Sequence, residues 1–565
     1  MGVDCLVIGA AEFDRNRERE IFLKVHRGDA ADGWGRFLAL NYVEFEGDAL
    51  MANQLASIAH RSARGALARG GNGFTYADVS VLSSWRTPLL GGMWIYQALK
   101  QRGFEVALVQ HVQLQAAQLE AALAEQPRAI AISTTLITSP LEMKALVRLC
   151  RERSPSSYIV LGGMSIWNQF QVKKAENELL RSEAAREDEG DLLGGFGFLG
   201  ADALIVDPYG IETLAELLGR LKTGRSLDGL PNTVRYARGV PVSRLDRTGE
   251  VFDAARMRMD WDLVENEHIG SVVNVRTQIS CPFRCSFCSY PTTQGPVIKA
   301  EFDAFERELQ ALSRRGVDTL MIIDDTFNVP PKRFMQVLEI LRRYQFRWYS
   351  FIRCQFLDAA QVDMMKASGC VGVYLGLESV DDETLERMNK TATEELFRRG
   401  IGLLAERGIL TYASFIVGFP GDTAETVRKV QRFIETSGLD YYNLKPFWYD
   451  HSTPIAQRAA EFGLTGQGYN WQHDRMNATQ AYDLIRDLIL DTRSRYVGLH
   501  SGELWEIGQF GARGLSKGHI DAVYDAHNAM LKQDLARRGT PADKARAFTN
   551  LESELGALEL TPAAW

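Results

Sequence analysis

The segment Asn274-Val-Arg-Thr-Gln-Ile-Ser-Cys281-Pro-Phe-Arg-Cys285-Ser-Phe-Cys288-Ser-Tyr-Pro291 decides how the chain is read. A strand-like run, NVRTQIS, leads straight into three cysteines spaced C-x3-C-x2-C. Thiolates are soft ligands that suit iron–sulfur clusters and zinc. Three thiolates on one tight loop can hold three corners of a [4Fe–4S] cubane and leave the fourth iron open to a small chelating molecule. A structural zinc site wants four ligands, usually two paired knuckles. No second C-x2-C exists, and the nearest other cysteines are Cys354 and Cys370. Seven cysteines in 565 residues form no disulfide framework, so a cluster of three in eight positions points to metal chemistry.

Working outward, NVRTQIS opens a series of alternating strands and helices over about 271–450. Its further strands are DTLMIIDDTF, RWYSFIRCQ, VGVYLGLES, LTYASFIVGF and YYNLKPFWY, with amphipathic helical stretches such as FDAFERELQALSRRG between them. Six βα units predict a partial (β/α)6 barrel, whose site gathers at the carboxyl ends of the strands. Polar or reactive residues stand at those ends: Cys281, Asp324 and Asp325, Arg353 and Gln355, Glu378, and the GFPGD run at 418–422. A second α/β series lies upstream, over about 76–210. YADVSVLSS, FEVALVQHV, AIAISTT, YIVLGG and ADALIVDP read as five strands of a Rossmann-like, doubly wound sheet.

The expected organisation is an α/β chain in five parts. Residues 1–75 are an N-terminal extension, 76–228 the Rossmann-like domain, 229–270 a linker, 271–460 the barrel, and 461–565 a mainly helical C-terminal domain. Residues 181–199 read as a loop. Composition is that of an ordinary globular protein, 45% hydrophobic and 24% charged. A net charge of −8 without a basic block argues against nucleic-acid binding. No apolar run approaches the ~20 residues that span a bilayer, and the N-terminus lacks the basic flank of a signal peptide, so a cytoplasmic protein is expected.

The cysteine spacing, an aromatic before the last cysteine and the position after a first barrel strand together resemble the radical S-adenosylmethionine (SAM) superfamily. The resemblance implies that Cys281, Cys285 and Cys288 carry a [4Fe–4S] cluster that cleaves SAM. Asp324-Asp325-Thr326 resembles the region that meets the methionine amino group, with Arg353 on the next strand end. Gly376-Leu377-Glu378-Ser379 resembles the motif whose glutamate meets the ribose. Ser414 and Ile416-Val417-Gly418-Phe419-Pro420-Gly421-Asp422 resemble the element beside the adenine, through Ser414, Val417, Gly418 and Pro420; Asp422 stands where Glu is usual. Asp324 and Asp325 also read as a capping pair, and Glu378 as a solvated acid at a helix start.

The upstream α/β domain is similar to the cobalamin-binding domains of class B members. Ser84, Trp85 and Arg86, Ser133, Thr134 and Thr135, and Gly162 and Gly163 are the implied cofactor contacts, since small residues at strand ends let a planar ring approach the backbone. Pro208-Tyr209-Gly210 replaces a Gly-Glu-Gly-Glu run. D-x-H-x-x-G, the usual source of a cobalt-ligating histidine, is absent, which leaves Trp85 or Arg86 for the lower face; Trp85 reads equally as core. His111 reads as a surface or core histidine.

Beyond the sixth strand, Tyr449 and His473 are candidate catalytic residues, with interdomain aromatic packing as the alternative. These segments are similar to natural-product C- and P-methylases. The resemblance thus implies a cobalamin-dependent radical SAM methyltransferase of antibiotic-type biosynthesis. Its four steps would be cleavage of SAM to a 5′-deoxyadenosyl radical, hydrogen abstraction from a small substrate, methyl transfer to it from methylcobalamin, and remethylation of cob(I)alamin by a second SAM. An electron donor such as flavodoxin or ferredoxin and a monomeric state are expected. A cyclase or rearrangement enzyme with the same cofactors, and a non-catalytic metal-binding protein, are the alternatives.

Overall fold

The computed structural model describes residues 2–13, 15–68, 73–178, 192–237, 240–245, 257–498 and 504–563. Two seven-stranded sheets organise it. In the first, Cys5–Ala10 (β1), Val106–His111 (β2), Ala129–Ser133 (β3), Tyr158–Gly162 (β4) and Ala203–Ile205 (β5) are parallel, in the order β2-β1-β3-β4-β5. Thr233–Ala237 (β6) and Val240–Arg244 (β7) extend it antiparallel beyond β5. The order reverses between β1 and β3. The loops leaving these two strands therefore diverge to opposite faces and open a crevice at their carboxyl ends.

This sheet departs from the sequence expectation at both ends. The first strand is Cys5–Ala10, every residue of it buried, so residues 1–75 are not an extension. The expected strand at 76–84 is instead a helical turn, Tyr76–Val79, and a 3₁₀ turn, Ser84–Arg86. Thr75 is the reason. Its hydroxyl accepts from the Asp78 amide at 3.3 Å, and the Asp78 carboxylate accepts the Thr75 amide at 2.9 Å, a capping box that starts a helix. At the other end the expected linker 229–270 contributes β6 and β7, while its residues 246–256 lie outside the described residues. So do residues 181–191 of the expected loop; Gly194–Leu199 is a 3₁₀ turn.

The second sheet is Val272–Val275 (β8), Thr319–Ile322 (β9), Arg347–Ile352 (β10), Cys370–Glu378 (β11), Leu410–Val417 (β12), Tyr441–Pro446 (β13) and Arg495–Tyr496 (β14), parallel throughout and in chain order. Five strands match the expected units; the first, expected over 274–280, is instead Val272–Val275, with Gln278–Ile279 paired antiparallel to Ile298–Lys299, and β14 is a seventh supplied by the C-terminal region. Amphipathic helices cover the outside; Phe302–Arg314 buries Phe305, Leu309 and Leu312 on one face. The C-terminal region is not separate. Its helix Leu504–Ala512 lies across β9–β11. Trp505 Nε1 donates to Asn274 Oδ1 at 2.9 Å, and Arg513 reaches the Val81 carbonyl at 2.9 Å.

Polar bonds tie the two sheets together. Asn274 donates to the Pro88 carbonyl at 2.9 Å, and Trp167 Nε1 to the Thr293 carbonyl at 2.9 Å. The carboxyl ends of β1 and β3 consequently face those of β8–β11 across a shared space.

Candidate functional site

That space is one cavity of about 1170 Å³. This exceeds the ~300–1,000 Å³ of an ordinary small-molecule site and leaves room for more than one ligand. Cys281, Cys285 and Cys288 stand on its barrel side, together with Asp324, Asp325, Arg353 and Glu378; Ser84, Trp85, Ser133 and Thr135 stand on the other.

The cysteine loop is held from several sides. Thr277 and Gln278, just upstream, donate their amides to Asp324 Oδ1 at 2.7 and 3.1 Å, and the Thr277 hydroxyl bonds Asp324 Oδ2. Asp324 is fully buried, which pushes its carboxyl up to about 6. Its oxygens are committed to the loop, so it acts as the loop's anchor. Asp325 is different. Its Oδ2 is buried without a hydrogen bond of its own, while the Arg276 guanidinium and the Tyr290 hydroxyl lie close to the same carboxylate. Within the loop the Cys288 amide donates to the Cys285 carbonyl at 3.1 Å. Burial first, then the neighbouring Cys285 and Cys281, push the Cys288 thiol up to about 11. The three sulfurs thus repel one another as thiolates, a repulsion that bound cations would reverse. Among the described residues, no three His, Cys, Asp or Glu side chains converge on a point suited to one metal ion.

Arg353, 9% exposed, links β10 to this loop. Its guanidinium lies 3.7 Å from the Phe283 ring centroid, and donates to Cys285 Sγ at 3.1 Å and to the Lys390 carbonyl at 3.1 Å. Asn328 fixes its backbone with reciprocal bonds at 2.9 Å. Glu378 ends β11 where the register with β12 shifts, and takes a left-handed φ of +67°. That conformation costs a non-glycine residue of order 1–3 kcal/mol and persists only where surroundings fix it. Lys390 Nζ lies 3.5 Å from Glu378 Oε1, with side-chain exposures of 5% and 14%. A Cβ on Gly376 would meet Glu378 Oε1 at 2.7 Å, so the glycine makes room for the carboxylate.

On the facing wall, Trp85 sits in the turn Ser84–Arg86, its ring centroid 5.1 Å from that of His111. His111 is fully buried. Burial, then Arg86, press its imidazole down to about 3. Nδ1 accepts the Leu114 amide at 3.4 Å, which puts the proton on Nε2, 3.6 Å from Glu12 Oε2. Tyr76 donates to the same oxygen at 2.6 Å. Arg86 turns away and donates to the Ser80 carbonyl at 2.7 Å.

Several expected contacts do not line the cavity. Thr134 is buried and bonds the Gly162 carbonyl at 3.0 Å, and Gly163 packs against Thr134 and Thr135, so these residues and Gly162 shape the wall from behind. Ser414 and Val417 are fully buried in β12. Gly418, φ +93°, is covered by Trp471, whose ring an added Cβ would meet at 2.4 Å. Pro420 lies in the same turn, which Asp422 holds by accepting the Gly418 and Phe419 amides at 3.0 and 3.2 Å. Burial pushes Asp422 up to about 7. His473, expected as a catalytic residue, does not line the cavity. Its Nδ1 accepts the Arg475 amide at 3.2 Å and its Nε2 points to the Gly418 carbonyl at 3.3 Å, so it clips this turn, stacked at 4° on Trp471. Tyr449 is likewise packed away, buried against Phe447 and bonded through its backbone to Gly468.

Sequence reasoning missed the cavity residues Glu12, Arg15, Trp34, Lys390 and Trp505. The signal for Glu12 and Arg15 was present: CLVIGA is a better buried strand than YADVSVLSS, and the residues after a first strand line an α/β crevice.

Residues 275–434 match the model of the Radical SAM superfamily, a span that includes β9–β12 of the second sheet. The two-sheet fold is similar to that of solved radical SAM structures that hold cobalamin. TsrM of Kitasatospora setae, determined with cobalamin and a [4Fe-4S] cluster, superposes with a TM-score of 0.53 at 17% identity, over 82% of this chain and 97% of that one. OxsB with aqua-cobalamin gives 0.50 at 12% identity, over 89% and 90%. Among curated proteins, an uncharacterized methyltransferase of Pyrococcus horikoshii is 26% identical over 248 residues, 42% of this chain and 53% of that one. The tryptophan 2-C-methyltransferase of Streptomyces laurentii is 27% identical over 214 residues, 35% and 34%. The chain spans about a third to a half of the length of these curated relatives. No helix among the described residues is long and apolar enough to cross a membrane.

Proposed function

We propose that the chain is a cobalamin-dependent radical SAM methyltransferase that methylates carbon or phosphorus in a small organic substrate. The observation that carries this reading is that three loop thiols and the carboxyl ends of both sheets open on one cavity. A [4Fe–4S] cluster on Cys281, Cys285 and Cys288 and cobalamin against the β1/β3 wall would supply, respectively, electron delivery to SAM and a transferable methyl group. The protein's own tasks are to bind, orient and exclude water.

The donor set suits these roles. Arg353 holds a positive charge against Cys285 Sγ at 3.1 Å. Asp325 Oδ2 offers an acceptor for an ammonium group. Glu378, with Lys390 behind it, offers a carboxylate to ribose hydroxyls. Trp85 presents a flat apolar face with the fully buried His111 ring behind it, whose Nδ1 accepts the Leu114 amide. A reductant of the flavodoxin or ferredoxin type would deliver the electron. The test is anaerobic reconstitution with methyl-labelled SAM and candidate metabolites. 5′-Deoxyadenosine together with S-adenosylhomocysteine and a labelled product is the expected result. 5′-Deoxyadenosine without S-adenosylhomocysteine would assign the chain to cyclisation or rearrangement; neither product would end the reading.

A further inference from the structure

The cavity extends past the cofactor walls toward the helix Arg15–Arg27, which follows β1. Here its polar groups are unevenly satisfied. The carboxylates are occupied: Glu12 by the Tyr76 hydroxyl, Glu18 by the Tyr42 hydroxyl at 2.9 Å, and Glu142 by the Phe13 amide at 2.9 Å. The Arg15 guanidinium is not. Its Nε and one terminal nitrogen are buried and make no hydrogen bond. Among the described residues its one ion pair is loose, 3.9 Å to Asp48. Asp48 is already taken by Arg19 Nε at 2.6 Å and by the Ala49 and Phe74 amides at 2.9 and 3.1 Å. In the same cavity Asn53, 5% exposed, has a buried Oδ1 without a donor. Ile21, Trp34, Met51 and Val79 supply apolar wall beside them.

Buried polar atoms left unpaired cost free energy, and native proteins satisfy nearly all of them. Two N–H groups of one guanidinium form a fork matched to a planar or tetrahedral oxyanion. An amide oxygen without a donor asks for an N–H or O–H.

We propose that Arg15 and Asn53 form the recognition pole for the substrate: Arg15 binds its oxyanion, a carboxylate or a phosphate, and Asn53 an N–H or O–H of the same molecule, with an apolar body along Trp34. This rests on the reading of the cavity as the reaction chamber, and it names the substrate as a small amphiphilic organic acid or phosphate ester.

The test is calorimetric titration of the full chain with inorganic phosphate, 3-phenylpropionate and L-phenylalanine. Saturable binding of phosphate alone identifies a phosphate ester, and of the carboxylates alone a carboxylic acid. Arg15→Met should weaken the bound anion by about tenfold or more. Arg15→Lys, which keeps the charge and the contact with Asp48 but loses the fork, should weaken it less, and it guards against misfolding of the first variant. Asn53→Leu should weaken L-phenylalanine and leave 3-phenylpropionate unchanged. Absence of saturable binding, or equal affinity in wild type and both Arg15 variants, overturns the proposal. So does a loss of cobalamin uptake in Arg15→Met with anion binding unchanged, because the cation would then serve the cofactor. Iron content of the same preparations keeps the two readings apart: wild-type protein that binds anions but builds no cluster refutes the radical SAM chemistry alone.

Discussion

Glu378→Gln isolates the role of one charge in the chamber. The substitution keeps the shape and one acceptor oxygen and removes a carboxylate that ends β11 at φ +67°. Two costs follow. If ribose hydroxyls donate to this carboxylate, a charge-assisted bond becomes a neutral one of roughly half the strength. The loss is on the order of 1–2 kcal/mol, about tenfold in SAM affinity. The second cost is structural. Lys390, 5% exposed and 3.5 Å from Oε1, loses its countercharge. For a pair at the cavity wall that cost stays below the ~3–5 kcal/mol of a fully buried broken pair. Lys390→Met separates the two, because it breaks the pair and keeps the carboxylate. Equilibrium binding of SAM to cluster-loaded protein should therefore weaken about tenfold in Glu378→Gln, with iron content unchanged, since the thiols sit on another loop. Unchanged affinity in Glu378→Gln would refute the ribose contact; equal weakening in Glu378→Gln and Lys390→Met would assign the effect to the broken pair.

Further outcomes are expected. Replacing Cys281, Cys285 and Cys288 together by Ala should abolish iron uptake and 5′-deoxyadenosine formation, and wild-type levels of either would remove the basis of the functional reading. Bound cobalamin should be base-off with no protein imidazole on cobalt, because His111 is fully buried beside Trp85 and does not line the cavity; nitrogen superhyperfine splitting in the cob(II)alamin resonance would contradict this. Burial holds Glu308 at about 8, against 4.5 for a free carboxyl. At ~1.4 kcal/mol per decade that is a contribution of roughly 5 kcal/mol. The fold keeps a proton that the unfolded chain gives up, so stability contributed here is present below pH 4.5 and lost as pH rises to about 8. Glu308→Gln should therefore raise the thermal midpoint relative to wild type more at pH 8.5 than at pH 5.5, and an equal difference at both would contradict the buried protonated acid.

The barrel was legible in the sequence because its strands alternate regularly with amphipathic helices and its reactive residues sit at strand ends. The cysteines, Asp325, Arg353 and Glu378 all reach the cavity for that reason. The first sheet was less legible. Tyr76–Val79 has strand composition, yet the reciprocal bonds of Thr75 and Asp78 override it, and the strand that fills the place is 66 residues or more upstream, at Cys5–Ala10. The place of His473 and Tyr449 outside the cavity lining was not legible, because aromatic and imidazole groups near a barrel mouth suit packing as well as chemistry. Only the bond to the Gly418 carbonyl shows which of the two His473 does. Arg15 was invisible for another reason: an arginine on a charged helix gives no sign that two of its nitrogens are buried without partners.

The chamber wall begins at Gly9 and is completed by Trp505. During synthesis the cysteine loop leaves the ribosome more than 200 residues before the helix that carries Trp505. Every strand of both sheets precedes that helix, so Trp505 is the last wall residue to be made. A ligand that touches both the thiol loop and Trp505 meets a finished chamber only once Leu504–Ala512 has docked across β9–β11.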